Sequence, residues 1–250
     1  MGHRTELDSC LSALLRPELY KDYGPNGLQV EGTHEVRHLC SGVTASLAFI
    51  EAAIAAGADT LLVHHGLFWR GHDGCLTGWL AARVRRLMRS DVNLYAYHLP
   101  LDAHAELGNN AQLGVRLQLS CDARFGEQDL GFMGQATAAH ATLDTLATTA
   151  RAALAKEIVV VPGDGRPLRR VAWCTGGAQS YFEPAIAAGA DVFITGEISE
   201  PQAHLARETG VAFLACGHHA TERYGAPAVA AHVAQKLGLR HTHIEIENPA

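Results

Sequence analysis

The hexapeptide IAAGAD occurs twice, at residues 54–59 and 186–191, and an apolar run follows each copy directly, TLLV in the first and VFIT in the second. In each copy the glycine stands where an Ala-rich helical stretch must stop, because a left-handed residue ends a helix without a Cβ clash. The run after it has the length and composition of a buried strand. The match extends outward, with Glu51 opposite Glu183 and Ala53 opposite Ala185. A helix-glycine-strand unit used twice predicts two related halves, each an α/β layer.

A second correspondence supports the first. Laying NLYAYHLPLD (93–102) on FLACGHHATE (213–222) gives, in both halves, a strand that ends in His-x-x-x-carboxylate. His98 then pairs with His218, Asp102 with Glu222, and the first repeat sets Glu197 opposite His65. Alternating β-rich and Ala/Leu-rich stretches predict strands near 36–43, 60–63, 93–97, 158–161, 170–174, 192–195, 211–215 and 243–246. Helices are predicted near 6–15, 47–56, 78–89, 110–117, 143–153, 182–188, 201–208 and 226–236. On this pattern residues 1–120 form the first α/β half, 121–169 a connecting region, and 170–250 the second half.

Composition removes several function classes. The most apolar stretch, residues 45–63, is interrupted by Glu51 and Asp59, and the first ten residues, MGHRTELDSC, lack the apolar core of a signal peptide. A cytoplasmic protein is the expectation. The six cysteines form no Cys-x-x-Cys pair, which suits buried thiols better than a thiolate metal site. A net charge of −6 disfavours a protein held on nucleic acid by bulk electrostatics.

The unusual count is 15 histidines, several of them at predicted strand ends. His64 and His65 follow TLLV and precede Gly66. Adjacent strand residues point to opposite faces, so both imidazoles reach one place only if the strand ends or bends there, which Gly66 permits. Carboxyl ends of strands are also where open α/β sheets bind ligands. Asp102 lies in HLPLDAH, where Pro100 is expected to keep the chain extended, and His98 and His104 compete with it as ligands. In GHHATE, His218 and Glu222 are four apart, the spacing of one helical face, with His219 an alternative to His218. Three imidazoles and two carboxylates exceed the four positions of one tetrahedral ion, so His64, His65, Asp102, His218 and Glu222 suggest a two-metal site. The N/O donor set suits Zn, Fe, Mn, Ni or Co. Two divalent cations and two carboxylates leave roughly +2, which would attract hydroxide, phosphate or a nucleotide.

The segments DYGPNGLQVEG (22–32), GVTAS (42–46), VHHGLFWRG (63–71), YHLPLDAHAELGNNAQLG (97–114), VAWCTGGAQS (171–180), FITGEISE (193–200) and GHHATERYG (217–225) together resemble the YbgI or Nif-three-like family. Its members are often labelled type 2 GTP cyclohydrolase homologues. The resemblance spans nearly the whole chain, with 120–169 the weakest stretch. It implies two α/β domains of similar fold, a dinuclear centre on His64, His65, Asp102, His218 and Glu222, and a ring-shaped homohexamer built as a trimer of dimers.

The expected activity is metal-dependent hydrolysis of a small anionic or nucleotide substrate, with GTP the named candidate: activated water attacks purine C8, opens the imidazole ring and releases formate. His98 could shuttle a proton and Glu197 could act as a general base. No Walker motif or GxGxxG is present to hold a triphosphate. The alternative is a metal-binding, metal-delivery or regulatory ring scaffold without turnover.

Overall fold

The computed structural model describes residues 2–250, which divide into two compact units, residues 2–108 with Gly225–Glu247, and Asn109–Tyr224 with Asn248–Ala250.

The first unit begins with strand β1 (Gly2–His3), helix α1 (Arg4–Leu15), β2 (Gly27–Val30) and β3 (Glu35–Val36). Then come β4 (His38–Thr44), α2 (Leu47–Ala55), β5 (Thr60–His65), α3 (Gly78–Arg89), β6 (Asn93–Ala96) and the short α4 (Leu99–Ala103). The second unit supplies α5 (Asn109–Arg116), β7 (Ala123–Phe125), β8 (Gly131–Gln135), α6 (Leu143–Leu154), β9 (Val159–Val161) and β10 (Arg170–Trp173). It continues through α7 (Phe182–Ala187), β11 (Val192–Thr195), α8 (Glu200–Thr209), β12 (Ala212–Ala215) and α9 (His218–Glu222). The chain then returns to the first unit as α10 (Gly225–Leu237) and β13 (Arg240–His243).

Each unit is built on three parallel strands joined by helical crossovers, as the repeat predicts. In the first, β4, β5 and β6 lie side by side, with β13 parallel on the β4 edge and β2 antiparallel on the β6 edge. In the second, β10, β11 and β12 do the same, with β8 and β9 antiparallel at either side and β7 beyond β8. Both sheets are covered on both faces, which is why their central strands read as continuous apolar runs. On β5, Leu61 and Val63 pack with Phe49, Leu80 and Leu87 on one face, while Leu62 packs with Leu7, Leu11 and Val229 on the other. On β11, Val192 and Ile194 join Leu146 and Trp173, while Phe193 meets Phe182, Phe213 and Phe125.

The IAAGAD copies fold alike. Gly57 and Gly189 have φ of +79° and +85°, and the following alanines, Ala58 and Ala190, donate back to Ala53 and Ala185. The second overlay needs a one-residue correction. Thr60 pairs with Asn93 in one sheet and Val192 with Ala212 in the other, so the strand residue equivalent to Asn93 is Ala212, not Phe213. An extra residue, Gly217 at φ +93°, follows β12 and brings His218 back into correspondence with His98.

The domain boundaries also differ from the sequence expectation. Residues 121–169 are no connection: β7 and β8 extend the second sheet beyond β10, β9 closes its other edge, and α6 covers one face. Nor does the C-terminal part of 170–250 all belong to the second half. The open edge of β4 is covered by β13, with Arg240 opposite His38, and Val229 and Val233 of α10 fill the far face of the first sheet. The last strand lies at 240–243 instead of 243–246, although Ile244 still donates to Ser41 and Ile246 packs on the core. No helix among the described residues is long and apolar enough to cross a membrane.

Candidate metal-binding sites

In the first unit, β5 runs through both histidines, and Thr44 pairs with His65 at its end. His64 is fully buried, and its Nδ1 is 3.1 Å from the Tyr97 carbonyl, which can only accept. Nδ1 therefore carries the proton, and Nε2, an acceptor, faces Asp102 Oδ1 at 3.5 Å. Next to it, the His65 ring centroid is 4.5 Å from that of His64, and His65 Nδ1 is 3.1 Å from Thr44 Oγ1. Gly66 serves a different purpose from the one expected. A Cβ there would collide with the Gln29 side-chain amide and Ala96, and Gln29 Oε1 accepts from Leu67 N–H at 2.7 Å.

Asp102 is buried in the first turn of α4. The extended conformation expected from Pro100 is overturned, because Pro at the second helical position removes only an N–H that lacks an intrahelical partner anyway. His104 accepts at Nδ1 from Leu107 N–H at 3.0 Å, which occupies one nitrogen as a turn cap. His98 stands at the head of α4, and its ring centroid is 5.0 Å from His64 and 5.9 Å from His65. One nitrogen from each of His64, His65 and His98 lies within 4.8 Å of the others.

Asp22, which carries no sequence signal of a site residue, sits behind His98. Its Oδ1 is 2.7 Å from His98 Nδ1 and accepts from Tyr23 N–H, while Oδ2 accepts from Asn26 Nδ2 and Leu99 N–H, both at 2.8 Å. Burial pushes the Asp22 carboxyl up, but the His98 bond and charge, with bonds from Asn26 and Tyr23, outweigh it and hold it below its ordinary value. Trp69 closes the outer side, 36% exposed, its ring edge-on to His98 at 5.0 Å. Phe68 packs against the core instead.

In the second unit, His218 begins α9 and Glu222 ends it, so the i, i+4 spacing does lie on one helical face. His218 Nε2 is 3.2 Å from Glu222 Oε2, and Nδ1 is 2.6 Å from Glu197 Oε1. The Glu222 hydrogen bond lifts the His218 pKa to about 9 against the opposing effect of burial, with the Glu222 charge and Glu197 adding to the rise. An imidazolium between two carboxylates marks a place where a metal ion can replace a proton. Glu197 thus holds and orients His218 through Oε1, and Gln179 Nε2 is 3.4 Å from its other oxygen. His219 is buried one residue on.

Glycines shape this unit too. A Cβ on Gly176, whose φ is +70°, would strike the Glu222 carboxyl and lie 3.2 Å from His218 Nε2. Thr221 Oγ1 accepts from Gly176 N–H at 3.0 Å, and the Gly176 carbonyl accepts from Thr195 Oγ1 at 3.0 Å, fixing the TGG loop against the end of β11. Tyr224 packs on the core of this unit with the Arg116 guanidinium 4.9 Å over its ring.

The profile of Duf34/NIF3 (NGG1p interacting factor 3) matches residues 3–249. The chain belongs to the Duf34/NIF3 family. It is 50% identical to a "GTP cyclohydrolase 1 type 2 homolog" of Neisseria meningitidis serogroup B over 236 residues, 94% of each chain. Among solved structures it is similar to "protein ybgI, unknown function", with a TM-score of 0.94, 42% identity and full coverage of both chains. A protein of Thermus thermophilus follows at TM-score 0.87 and 31% identity, again over the whole of both chains. The two-domain α/β fold expected from the resemblance is therefore the fold of this Duf34/NIF3 member.

Proposed function

We propose that the chain is a metal-dependent hydrolase whose two divalent ions are held by His64, His65, Asp102, His218 and Glu222. The observation that carries this reading is chemical: each unit sets an imidazole Nε2 against a buried carboxylate, His64 with Asp102 and His218 with Glu222. Neither set alone offers enough donors for two ions, and the pseudo-equivalence of Asp102 and Glu222 supports their joint use. The donors are nitrogen and oxygen only, which suits Zn, Fe, Mn, Ni or Co.

When bound, two such ions would lower the pKa of water towards about 7 and polarise a substrate acceptor. The chain's own residues then orient and enclose. Tyr97 O and Glu197 fix the tautomers of His64 and His218, and Trp69 offers an exposed aromatic face for a heterocycle. Beside it, the Arg70 guanidinium over Tyr23 supplies positive charge for a phosphate. The names of the relatives favour GTP as substrate. In that reaction two waters hydrolyse both bonds to C8, and C8 leaves as formate.

The test is formate release from GTP by the metal-loaded protein. Formate production that Asp102→Ala abolishes supports the assignment. Retained metal with no formate overturns it in favour of the scaffold reading. A cytoplasmic homohexameric ring belongs to the same proposal, and a monomeric mass by light scattering would remove the ring from it.

A further inference from the structure

Helix α3, GWLAARVRRLMR, carries Arg83, Arg85, Arg86 and Arg89 and no acidic residue. Arg83 and Arg86, Arg86 and Arg89, and Arg85 and Arg89 stand three or four apart, spacings at which like charges repel across a helical turn. None of the four makes an ion pair among the described residues. The acids nearest in sequence, Asp73 and Asp91, flank the helix, and Asp73 is engaged by Cys75 N–H. Helix electrostatics accounts for part of the set: Arg86 and Arg89 lie in the last turn, where positive charge complements the dipole, and Arg86 donates to Ser90 Oγ at 2.6 Å. Arg83 and Arg85 lie outside that turn.

Leu80, Val84 and Leu87 turn into the core of the first unit, so the opposite side of α3 faces outward. Steps of about 100° per residue put Arg85 and Arg89 at the middle of that side, Arg86 next to them, and Trp79 with Arg83 along its border. Trp79 is 64% exposed, and the Arg83 guanidinium lies 4.7 Å over its ring. A cation covers one indole face, and the exposure of the residue leaves the other for a partner.

A row of unpaired guanidinium groups calls for a polyanion, and an exposed indole among them calls for one that also has flat apolar faces. Single-stranded nucleic acid offers both, phosphates for the arginines and unstacked bases for the ring. A duplex keeps its bases stacked on one another. A bilayer suits the helix less, because its apolar stripe is already spent on the core and cannot enter the acyl region. The net charge of −6 repels a polyanion at long range, but physiological salt confines that repulsion to roughly 8 Å, so contact depends on the local sign.

We propose that the outer side of α3 binds single-stranded nucleic acid, with Arg85 and Arg89 on phosphates and Trp79, backed by Arg83, against a base. The surface contains none of the five proposed metal ligands and does not depend on the hydrolase reading.

The experiment is fluorescence anisotropy of a labelled oligothymidylate of about 20 nucleotides titrated with the full chain at several salt concentrations. Binding is expected to weaken linearly in log–log form, with a slope of about −2 for three phosphate contacts. The Arg85→Ala, Arg89→Ala double variant should bind at least about 10-fold more weakly, with a slope shallower by about 1.4. Both side chains are exposed and unpaired, so the fold is not at stake, and circular dichroism checks it. Trp79→Ala should weaken binding about 10-fold with the slope unchanged, and Trp79→Phe should restore most of it. Asp102→Ala, altered at the proposed metal site, should bind as wild type does. An oligonucleotide that does not bind at low salt, a double variant that binds as wild type does, or tighter binding of a duplex of equal length overturns the proposal. So does loss of binding in Asp102→Ala, which places the strand on the metals, or uptake by phosphatidylglycerol vesicles in place of the oligonucleotide.

Discussion

In the first unit Asp59 Oδ2 accepts from the backbone N–H groups of Arg37 and His38, at 2.9 and 3.0 Å; in the second, Asp191 Oδ2 accepts from those of Arg169 and Arg170, at 2.8 and 2.9 Å. The last residue of each IAAGAD copy therefore pins the start of the neighbouring parallel strand. At the opposite ends of the same strands the two units diverge. Where the first has His64, His65 and the loop carrying His98 and Asp102, the second has Gly196, Glu197 and the loop carrying His218 and Glu222. The end that holds the sheet together is shared, and the end that presents donors is specialised: three clustered imidazoles in one unit, a single imidazole between two carboxylates in the other.

The largest effect expected from breaking this comparison is at Gly176. A side chain there would occupy the space of the Glu222 carboxyl, so Gly176→Ala, the smallest addition at this positive φ, should lower metal affinity by more than about 10-fold, read by chelator competition. The fold should survive, with an unchanged far-ultraviolet circular dichroism spectrum. Next comes Glu197→Ala, which removes the partner of His218 Nδ1 and should cost about 10-fold in metal affinity. Wild-type affinity in that variant would show that His218 needs no orienting carboxylate.

At the shared end, Asp59→Ala and Asp191→Ala should each destabilise by about 1–3 kcal/mol in denaturant unfolding, because each strands two strand-start N–H groups. A cost confined to one of them would break the structural equivalence of the repeat. A pH dependence is also expected in metal-free protein. The folded His218 value, about 9, lies above its ordinary 6.5, so its stabilising contribution is complete below 6.5 and is lost as pH rises through 9. The melting temperature should fall across that window, and Glu222→Gln should flatten the fall.

Much of the scaffold was legible because it rests on local signals. The helix-glycine-strand copies, the fully apolar central strands and the His-x-x-x-carboxylate spacing all report on neighbours within a few residues. What escaped depends on distant partners. Strand β8, GFMGQ, carries two glycines because Phe125 and the Ser120 carbonyl crowd its backbone, so it lacks the β-branched pattern of a strand. The return of α10 and β13 to the first unit has no sequence mark, since nothing local in the polar strand RHTH says which sheet edge it joins. Asp22 was invisible as a site residue for the same reason, its partner His98 being brought to it only by folding. Asp102 lies in a helical turn where Pro100 pointed to an extended segment, because a proline's local bias cannot tell a helix start from a loop. The overlay paired His98 with His218, but only the folded chain shows that both are held through Nδ1 by a carboxylate.

Metal analysis of the wild-type chain beside Asp102→Ala and Glu222→Ala, one carboxylate from each unit, tests the central claim most directly. About two equivalents of divalent metal per wild-type chain, falling sharply in both variants, is the result expected if both carboxylates serve one dinuclear centre. Metal content unchanged in either variant would contradict it.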